Sequence, residues 1–253
     1  MVHIDTTGQG SALTSDAIQR NRAWLQASNS RYRSDWREDF NSLIEPYLRP
    51  GATVLDVGSG RRPLISPSER PLDCTYIGLD ISKEELDRAP EGSYDAQYIQ
   101  DLAVHNAELK SRIDIALSWQ VLEHIEPLAP ALQNIHQYLR DGGVFVSLLT
   151  GRNAHFAMIN RMVPSKLGIF AMRRLLGREP DTVFRAPYDH CTYSGLSELL
   201  TSWSSFQIVP IFRGAGYFRF FRPAAWAYLR YENWAARTNR KELATYYYVI
   251  ARK

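Results

Sequence analysis

The sequence predicts an α/β fold: a doubly wound, mostly parallel sheet of seven strands, with helices on both faces and an antiparallel last strand. Three observations predict it. Short apolar segments alternate with helical patterns between residues 50 and 150. The first segment ends in the turn Gly58-Ser59-Gly60, and the second ends in the acid Asp80. Turns and acids at such strand ends are typical of open sheets that bind ligands at one edge.

The predicted strands are short runs of apolar, often β-branched or aromatic residues bounded by turn residues. They cover residues 53–57, 75–80, 97–100, 113–119, 144–149, 206–212 and 245–251. Helical spacing is found from about 16 to 48, after Ser82, at about 128–140, at about 154–177, and after a predicted cap at Ser194. The last two strands close the sheet although about 30 residues separate them.

A chain of 253 residues with 45% hydrophobic content can bury one full core, so one domain with insertions is expected. We assign residues 1–48 to an N-terminal helical extension or lid and residues 49–253 to the main domain. Insertions at about 151–200 and 213–240 would cover a substrate. Two cysteines cannot build a disulfide framework, and the sequence offers neither a signal peptide nor an apolar run of membrane-spanning length, so a cytoplasmic location is expected.

The charge is distributed unevenly. The whole chain has a net charge of +3, yet residues 151–240 carry 13 Lys and Arg against five Asp and Glu, a net charge of +8. The remainder therefore carries −5. A basic half of this kind indicates contact with something anionic.

The glycine turn and the acid of the second strand indicate a cofactor that contains adenosine. Glycines let the backbone approach a ligand closely, and a carboxylate at this strand end accepts ribose hydroxyls. A dinucleotide site requires a third glycine where this chain has Pro63, so the pyrophosphate cradle is incomplete. Asp56 would also repel a pyrophosphate, whereas it suits a ligand with an ammonium and a sulfonium, such as S-adenosylmethionine.

These segments resemble the class I S-adenosylmethionine-dependent methyltransferases, in their small-molecule, type 11-like branch with a Rossmann-like sheet. Further matches are Gln100-Asp101-Leu102, Ser118-Trp-Gln-Val-Leu-Glu-His-Ile125 and Leu139-Arg-Asp-Gly-Gly143, and together they cover roughly residues 50–150. The resemblance implies S-adenosylmethionine as the cofactor. The cofactor-binding residues that it implies are Asp56, Gly58, Ser59, Gly60, Asp80, Ile81, Asp101, Leu102, Ser118 and Gln120.

The chain departs from the family pattern after the glycine turn. The family often has a further glycine at position 62, where this chain has Arg62. Pro63, Pro67 and Pro71 also interrupt the place of the usual first helix. We therefore expect no regular helix between residues 61 and 74.

Methyl transfer to a hydroxyl requires a base, and histidines and tyrosines are the candidates. The segment Tyr188-Asp-His-Cys-Thr-Tyr-Ser194 resembles a stretch that such enzymes place beside the acceptor. His190 is thus a candidate base, with Tyr188 as a second catalytic candidate; alternatively, His190 and Ser194 only organise a helix start. His124 is a further catalytic candidate that would orient the acceptor or take its proton; alternatively, it only caps or packs beside the methionine part of the cofactor.

Two further features complete the candidate site. His155, after the fifth predicted strand, is a weaker candidate for catalysis. Some methyltransferases bind a metal through a Glu-x-x-Glu-His stretch, but this chain has Gln120 at the first position, so no metal is expected.

The segment from Tyr217 to Trp234 interleaves aromatic residues with arginines. Three interpretations are open: an insertion that packs in the core with arginines at its rim, a surface that contacts anionic lipid, and a stacking platform for nucleic acid. The lack of an Asn/Asp-Pro-Pro-Tyr stretch argues against a nucleic-acid substrate.

The sequence thus predicts an S-adenosylmethionine-dependent methyltransferase that acts on a small or amphiphilic molecule. We expect methylation at oxygen rather than at nitrogen or carbon. A non-catalytic protein that binds the same cofactor and an RNA methyltransferase are the alternatives. A nicotinamide-dependent oxidoreductase is disfavoured, because the third glycine and a Tyr-x-x-x-Lys pair are both missing.

Overall fold

The computed structural model describes residues 19–154, 186–218 and 220–253. Its strands are β1 (Thr53–Val57), β2 (Thr75–Asp80), β3 (Ala96–Ile99), β4 (Ile113–Trp119), β5 (Leu139–Thr150), β6 (Ser205–Ile211) and β7 (Tyr246–Arg252). They form one sheet in the order β3-β2-β1-β4-β5-β7-β6. Strand β7 is antiparallel to both neighbours, and the other pairings are parallel. The predicted fold class is confirmed.

Among the described residues the helices are α1 (residues 19–28), α2 (Trp36–Ile44), α3 (Lys83–Asp87), α4 (Leu128–Tyr138), α5 (Tyr193–Leu199) and α6 (Arg222–Arg237). Helices α2, α3 and α5 begin at side-chain caps: Asp35 accepts a hydrogen bond from the Arg37 N–H, Ser82 accepts one from the Glu85 N–H, and the cap of α5 is described below. No helix within these residues is long and apolar enough to cross a membrane.

The strands bury apolar residues on both faces of the sheet, which explains their nearly continuous apolar sequence. In β1, Leu55 and Val57 join one core cluster, and Val54 joins the other. Helices α4 and α5 cover the first face, whereas α2 covers the second through the fully buried Phe40 and Ile44. The two layers hold the strand ends in fixed register.

The strand order reverses beside β1, which pairs with β2 on one side and β4 on the other. At its carboxyl end, Val57 lies opposite Leu79 of β2 and Ser118 of β4. Ligands of open α/β sheets bind where the order reverses in this way. The sheet therefore presents its ligand crevice at the ends of β1, β2 and β4.

The segment between β1 and β2 contains a 3-10 turn, Pro67–Glu69, and no α-helix, as the prolines predicted. Ser66 and Glu69 form a capping box that holds this turn. The connection from β1 to β2 is thus a loop that is ordered by its internal hydrogen bonds.

Two predicted boundaries are wrong. Helix α4 ends at Tyr138, and β5 starts directly at Leu139, because Leu139 is already extended and pairs with Ile113. The cap of α5 is Thr192 instead of Ser194, since the Thr192 hydroxyl accepts the Gly195 N–H at 3.1 Å. Residues 155–185, which include His155 and the predicted helical segments at about 154–177, lie outside the described residues.

The N-terminal extension packs on α6 through the buried carboxylate of Glu232. Glu232 accepts hydrogen bonds from the Tyr32 hydroxyl, the Gly214 N–H and the Thr245 hydroxyl. Burial raises the pKa of Glu232 and outweighs these hydrogen bonds, which lower it. The contacts join the two segments predicted as extension and insertion, whereas a lid function of residues 1–48 stays a prediction.

Candidate functional site

The turn after β1 requires its two glycines. Gly58 and Gly60 have φ of +66° and +49°, in the left-handed region that glycine adopts without strain. A Cβ added to Gly58 would lie 2.3 Å from Cγ2 of Val121. The turn therefore passes directly under the loop that follows β4, and Val121 is a contact that the sequence did not reveal.

Asp80 lies at the carboxyl end of β2 and faces this turn. Its Oδ2 accepts the Gly60 N–H at 2.9 Å, and its Oδ1 accepts the Ser82 N–H at 2.8 Å. Each oxygen keeps a second lone pair, and the residue is half-buried. The carboxylate is therefore oriented by the backbone and still able to accept hydroxyl donors.

Asp56 is fully buried beneath the loop that follows the glycines. Its Oδ2 accepts hydrogen bonds from the Leu64 N–H and the Tyr76 hydroxyl, each at 2.7 Å. Burial raises the pKa of Asp56 to about 7, although both hydrogen bonds lower it. Asp56 thus holds the loop that replaces the usual first helix, and its direct contact with a cofactor stays a prediction.

The ends of β2 and β3 supply an apolar surface with one acid. Ile81 is 70% exposed immediately after Asp80, a large apolar side chain with no cover. Asp101 is exposed, and its Oδ1 accepts the Ala103 N–H at 2.9 Å. Leu102 is buried in the core, and Asn134 of α4 donates to its carbonyl.

The remaining predicted cofactor residues lie near the same strand ends. Ser59 and Ser118 are buried, and the hydroxyl of Ser118 has no hydrogen-bond partner in the described part of the chain. Gln120 is exposed with φ of +55°, and its N–H donates to the Leu148 carbonyl at 2.7 Å. Contact of these three residues with a ligand stays a prediction.

Sequence reasoning missed Tyr94. Its hydroxyl donates to the Gly60 carbonyl at 2.9 Å, and its ring lies against Gly78 of β2, where an added Cβ would approach Tyr94 Cδ1 to 2.8 Å. A glycine inside a strand signals such a close approach. Gly78 was the available signal, but it does not name the partner.

Across the crevice, Glu123 joins three segments. Its Oε1 accepts the N–H and the hydroxyl of Thr150, at the end of β5, and its carbonyl accepts the Tyr188 N–H at 3.1 Å. The side chain is fully buried, and its Oε2 has no hydrogen-bond partner among the described residues. Burial raises the pKa of Glu123 and outweighs the Thr150 hydrogen bonds, which lower it.

Asp189 connects the predicted catalytic segment to α4. Its Oδ2 accepts the Leu128 N–H at 2.9 Å, in the first turn of α4, and its Oδ1 lies 2.7 Å from Nδ1 of His190. Partial burial acts to raise the pKa of Asp189, but these two hydrogen bonds prevail and lower it. Asp189 is therefore ionised at neutral pH and orients the imidazole.

The three catalytic candidates differ in exposure. His190 and His124 are exposed, whereas Tyr188 is buried in the main core. The loop of His190 and the loop of His124 are joined by the Glu123–Tyr188 hydrogen bond. Within residues 19–154, 186–218 and 220–253, no group of three or more His, Cys, Asp or Glu could hold a metal ion.

Comparison with known protein families shows to which family the chain belongs. The sequence model of a family described as a methyltransferase domain matches residues 28–209. The chain belongs to the methyltransferase-domain family. This match covers the glycine turn, Asp80, the loop of Glu123 and the Asp189–His190 pair, and family membership brings S-adenosylmethionine as the cofactor. No curated protein sequence matches the chain significantly.

Solved structures support the fold. Phosphoethanolamine N-methyltransferase 2 of Haemonchus contortus, in complex with phosphomonomethylethanolamine and S-adenosylhomocysteine, has a TM-score of 0.52 and 13% identity over 86% of this chain and 52% of that chain. This methyltransferase chain thus spans about half the length of that enzyme. A Mesorhizobium loti S-adenosylmethionine-dependent methyltransferase has a TM-score of 0.51 and 17% identity, over 85% and 96% of the two chains. The [4+2]-cyclase SpnF has a TM-score of 0.50 and 16% identity, over 87% and 84%.

The residues at the carboxyl ends of β1 and β2 fit S-adenosylmethionine. Gly58 and Gly60 leave no side chain between backbone and ligand, Asp80 retains lone pairs for ribose hydroxyls, and the exposed Ile81 offers an apolar surface to an adenine. The missing third glycine does not weaken this fit, since the cofactor has no pyrophosphate.

Proposed function

We propose that this methyltransferase transfers a methyl group to an oxygen of a small or amphiphilic acceptor. The observation that carries the proposal is the Asp189–His190 pair. Its loop is hydrogen-bonded to the segments that follow β4 and β5, at the carboxyl ends of the parallel strands, where Asp80 also lies. The proposed cofactor side and the proposed acid–base side would thus face one crevice.

On the cofactor side, Asp80 would hold the ribose, and the backbone of Gly58 and Gly60 would line the ribose and methionine parts. Ile81, Leu102 and Asp101 would contact the adenine. When bound, S-adenosylmethionine supplies a methyl carbon activated by its own sulfonium, so the protein mainly aligns the reactants and excludes water. Asp56 supports this side through the buried loop that it holds.

On the acceptor side, His190 would remove the proton of the acceptor hydroxyl. Because Asp189 is ionised, it would accept a hydrogen bond from Nδ1–H of His190, and in the neutral imidazole Nε2 is then free to take a proton. A histidine oriented in this way can act as a general base. His124 would orient the acceptor, and Tyr188 would fix the loop through its N–H to the Glu123 carbonyl.

A labelled-methyl assay tests the proposal. The protein and S-adenosylmethionine with an isotopically labelled methyl group are incubated with three separate extract fractions: low-mass metabolites, lipids and RNA. We expect label in the low-mass or lipid fraction, and the product then identifies the methylated atom. Label confined to RNA, or on nitrogen or carbon, would overturn the acceptor assignment.

Variants separate the two sides of the site. We expect His190→Ala to lower kcat about 10²- to 10⁴-fold with little change in S-adenosylhomocysteine affinity, as for loss of a general base. Asp80→Ala should instead weaken that affinity. His136→Ala is the matched control, because His136 lies on α4 beside Trp203, at the end of the helix remote from Asp189.

Two outcomes contradict the proposal. Full activity of His190→Ala at every pH would show that His190 is not the base. Binding of S-adenosylmethionine without transfer to any fraction would favour the alternative of a non-catalytic cofactor-binding protein.

A further inference from the structure

Helix α6 has two chemically different faces. Its buried face contains Ala225, Tyr228, Leu229, Glu232 and Ala235. Tyr228 and Leu229 pack against the N-terminal extension and the segment before the helix, and Ala235 joins the main core. Its outer face carries Arg222, Trp226, Arg230 and Trp234, spaced four residues apart and all exposed. The core-packing interpretation of this region is therefore correct for one face and leaves the other unexplained.

The outer face continues into two adjacent phenylalanines. Phe220, Phe221, Trp226 and Trp234 are 46%, 56%, 52% and 48% exposed. They are four of the nine large apolar side chains that are exposed in the part of the chain that the structure describes, and they fall within 15 residues. Scattered exposed apolar residues need no explanation, whereas a cluster of this size indicates an interaction surface.

Guanidinium groups lie over one exposed and one half-buried ring at this face. The Arg230 guanidinium lies 5.1 Å from the ring centroid of Trp226, and that of Arg222 lies 5.1 Å from the ring of Trp24. Trp24, Arg222, Pro223 and Trp226 line a shallow cleft of about 430 Å³. Cations are thus held at the level of the aromatic rings.

The charge of this surface has one sign. Residues 220–240 contain four arginines and a single acid, Glu232. Glu232 is only 1% exposed and is hydrogen-bonded to Tyr32, Gly214 and Thr245. No carboxylate of residues 220–240 is therefore exposed to neutralise the arginines.

We propose that Phe220, Phe221, Arg222, Trp226, Arg230 and Trp234 form a docking face for an anionic phospholipid bilayer. Indole rings are favoured at the headgroup level, phenylalanines enter the boundary with the acyl chains, and arginines bind lipid phosphates. The face lies along one helix, as in proteins that bind the membrane surface without crossing it.

The position of α6 connects this face to the site. Glu232 binds the residue before β7, and β7 begins beside the end of β5, where Tyr246 lies opposite Thr150. Docking of α6 would therefore hold this end of the sheet near a bilayer, which is a source of amphiphilic acceptors. Membrane docking itself does not depend on the proposed reaction.

Vesicle sedimentation of the full chain tests the proposal. Vesicles of phosphatidylcholine alone are compared with vesicles that contain phosphatidylglycerol, at low and high salt. We expect binding to the anionic vesicles that weakens with salt, and a blue shift of tryptophan fluorescence on binding. Arg222→Gln with Arg230→Gln should weaken binding about thirtyfold, and Phe221→Ala with Trp226→Ala should weaken it about tenfold or more.

Leu72→Ala is the matched control, because Leu72 is 79% exposed on the segment before β2 and carries no part of this face. Thermal melting of each variant excludes loss of folding as the cause. Equal binding to neutral vesicles, or binding unchanged by the double substitutions, would overturn the proposal. Binding to single-stranded RNA but not to vesicles, or a dimer that Trp226→Ala dissociates, would assign the face to another partner and overturn it as well.

Discussion

The proposed cofactor side and the proposed acceptor side of the crevice are built in different ways. On the cofactor side, short stretches of sequence set the geometry: two glycines form a turn, and one acid 20 residues later accepts the N–H of Gly60. On the acceptor side, the geometry depends on distant segments, because Glu123 binds Thr150 and Tyr188, and Asp189 binds Leu128. Local backbone conformation thus determines one side, and buried long-range hydrogen bonds determine the other.

This difference has a consequence for variation. Substitutions that change the backbone conformation should damage the cofactor side most. Removal of a single side chain that accepts long-range hydrogen bonds should damage the acceptor side most. A family of enzymes can then retain the first side and change the acceptor through the second, because the two sets of contacts share few residues.

The largest effect is expected for Gly58→Ala. The substitution combines a left-handed backbone, which destabilises alanine by about 1–2 kcal/mol, with a Cβ 2.3 Å from Val121 Cγ2, which adds about 1–3 kcal/mol. We therefore expect a loss of roughly 2–5 kcal/mol in the free energy of unfolding, measured by denaturant titration, and weaker S-adenosylhomocysteine binding.

Gly92→Ala is the matched control for this steric effect. Gly92 has φ of +76°, but an added Cβ there meets nothing within 4 Å, so only the backbone strain should be felt. Val121→Ala removes both atoms nearest to the new Cβ and should restore part of the stability of Gly58→Ala. Equal losses for the two glycine variants would contradict the close approach of the loops.

A smaller effect on folding and a large effect on binding are expected for Asp80→Ala. The carboxylate accepts two backbone N–H groups, and hydrogen bonds to a charged group contribute about 1.5–3 kcal/mol. Calorimetric titration with S-adenosylhomocysteine should show a loss of affinity of about 10- to 100-fold. The affinity of Asp80→Asn should lie between that of Asp80→Ala and that of the unmodified protein. Asp101→Ala should lose less affinity than Asp80→Ala, because Asp101 is exposed and accepts one N–H from its own loop. Unchanged affinity for Asp80→Ala would remove the basis of the cofactor assignment.

The sequence predicted the cofactor side better because its signals are local. Glycine at positions 58 and 60, and an acid at the end of the next strand, require no knowledge of distant residues. The prolines after residue 62 likewise predicted the absence of a regular first helix. The start of β5 was misplaced because a glycine such as Gly142 commonly follows the end of a helix, whereas here it lies within the strand, with φ of +76°.

The acceptor side could be predicted only as a list of candidates. Nothing in the segment that contains Glu123 indicates that its carboxylate would be buried against Thr150, 27 residues away. The cap of α5 was placed at Ser194 instead of Thr192 because two neighbouring hydroxyl residues offer the same local signal. Long-range partners decide these details, and a single sequence does not encode them in its spacing.

Substitutions of Glu123, on the proposed acceptor side, should change stability by an intermediate amount. In Glu123→Ala, the buried N–H and hydroxyl of Thr150 lose their acceptor, so we expect about 2–4 kcal/mol of destabilisation in denaturant titrations. Glu123→Gln keeps one acceptor oxygen and should stay within about 1 kcal/mol of the unmodified protein near pH 5.

The pH dependence of Glu123→Gln follows from the raised pKa of Glu123. A carboxyl whose pKa is higher in the folded state contributes most below its unfolded pKa, and the contribution is lost as pH rises through the folded value. The melting temperature of Glu123→Gln should therefore increase relative to the unmodified protein as pH rises above about 4.5. A constant difference between the two proteins would show that Glu123 is ionised at all these pH values.

The smallest effect is expected for Asp189→Asn, and its sign with pH is opposite. The pKa of Asp189 is lower in the folded state, so its contribution is present above the unfolded value near 3.8 and is lost as pH falls through the folded value. Loss of its ionised hydrogen bond to the first turn of α4 should destabilise the protein by about 1 kcal/mol at pH 7 and by less in acid, as melting curves across pH would show. Asp35→Asn changes the side-chain acceptor at the start of α2, far along the chain from the crevice, and should give a comparable loss of stability without changing methyl transfer. If both variants impaired transfer equally, the effect of Asp189 on the reaction would be one of stability alone, and the difference between the two sides of the crevice would not extend to chemistry.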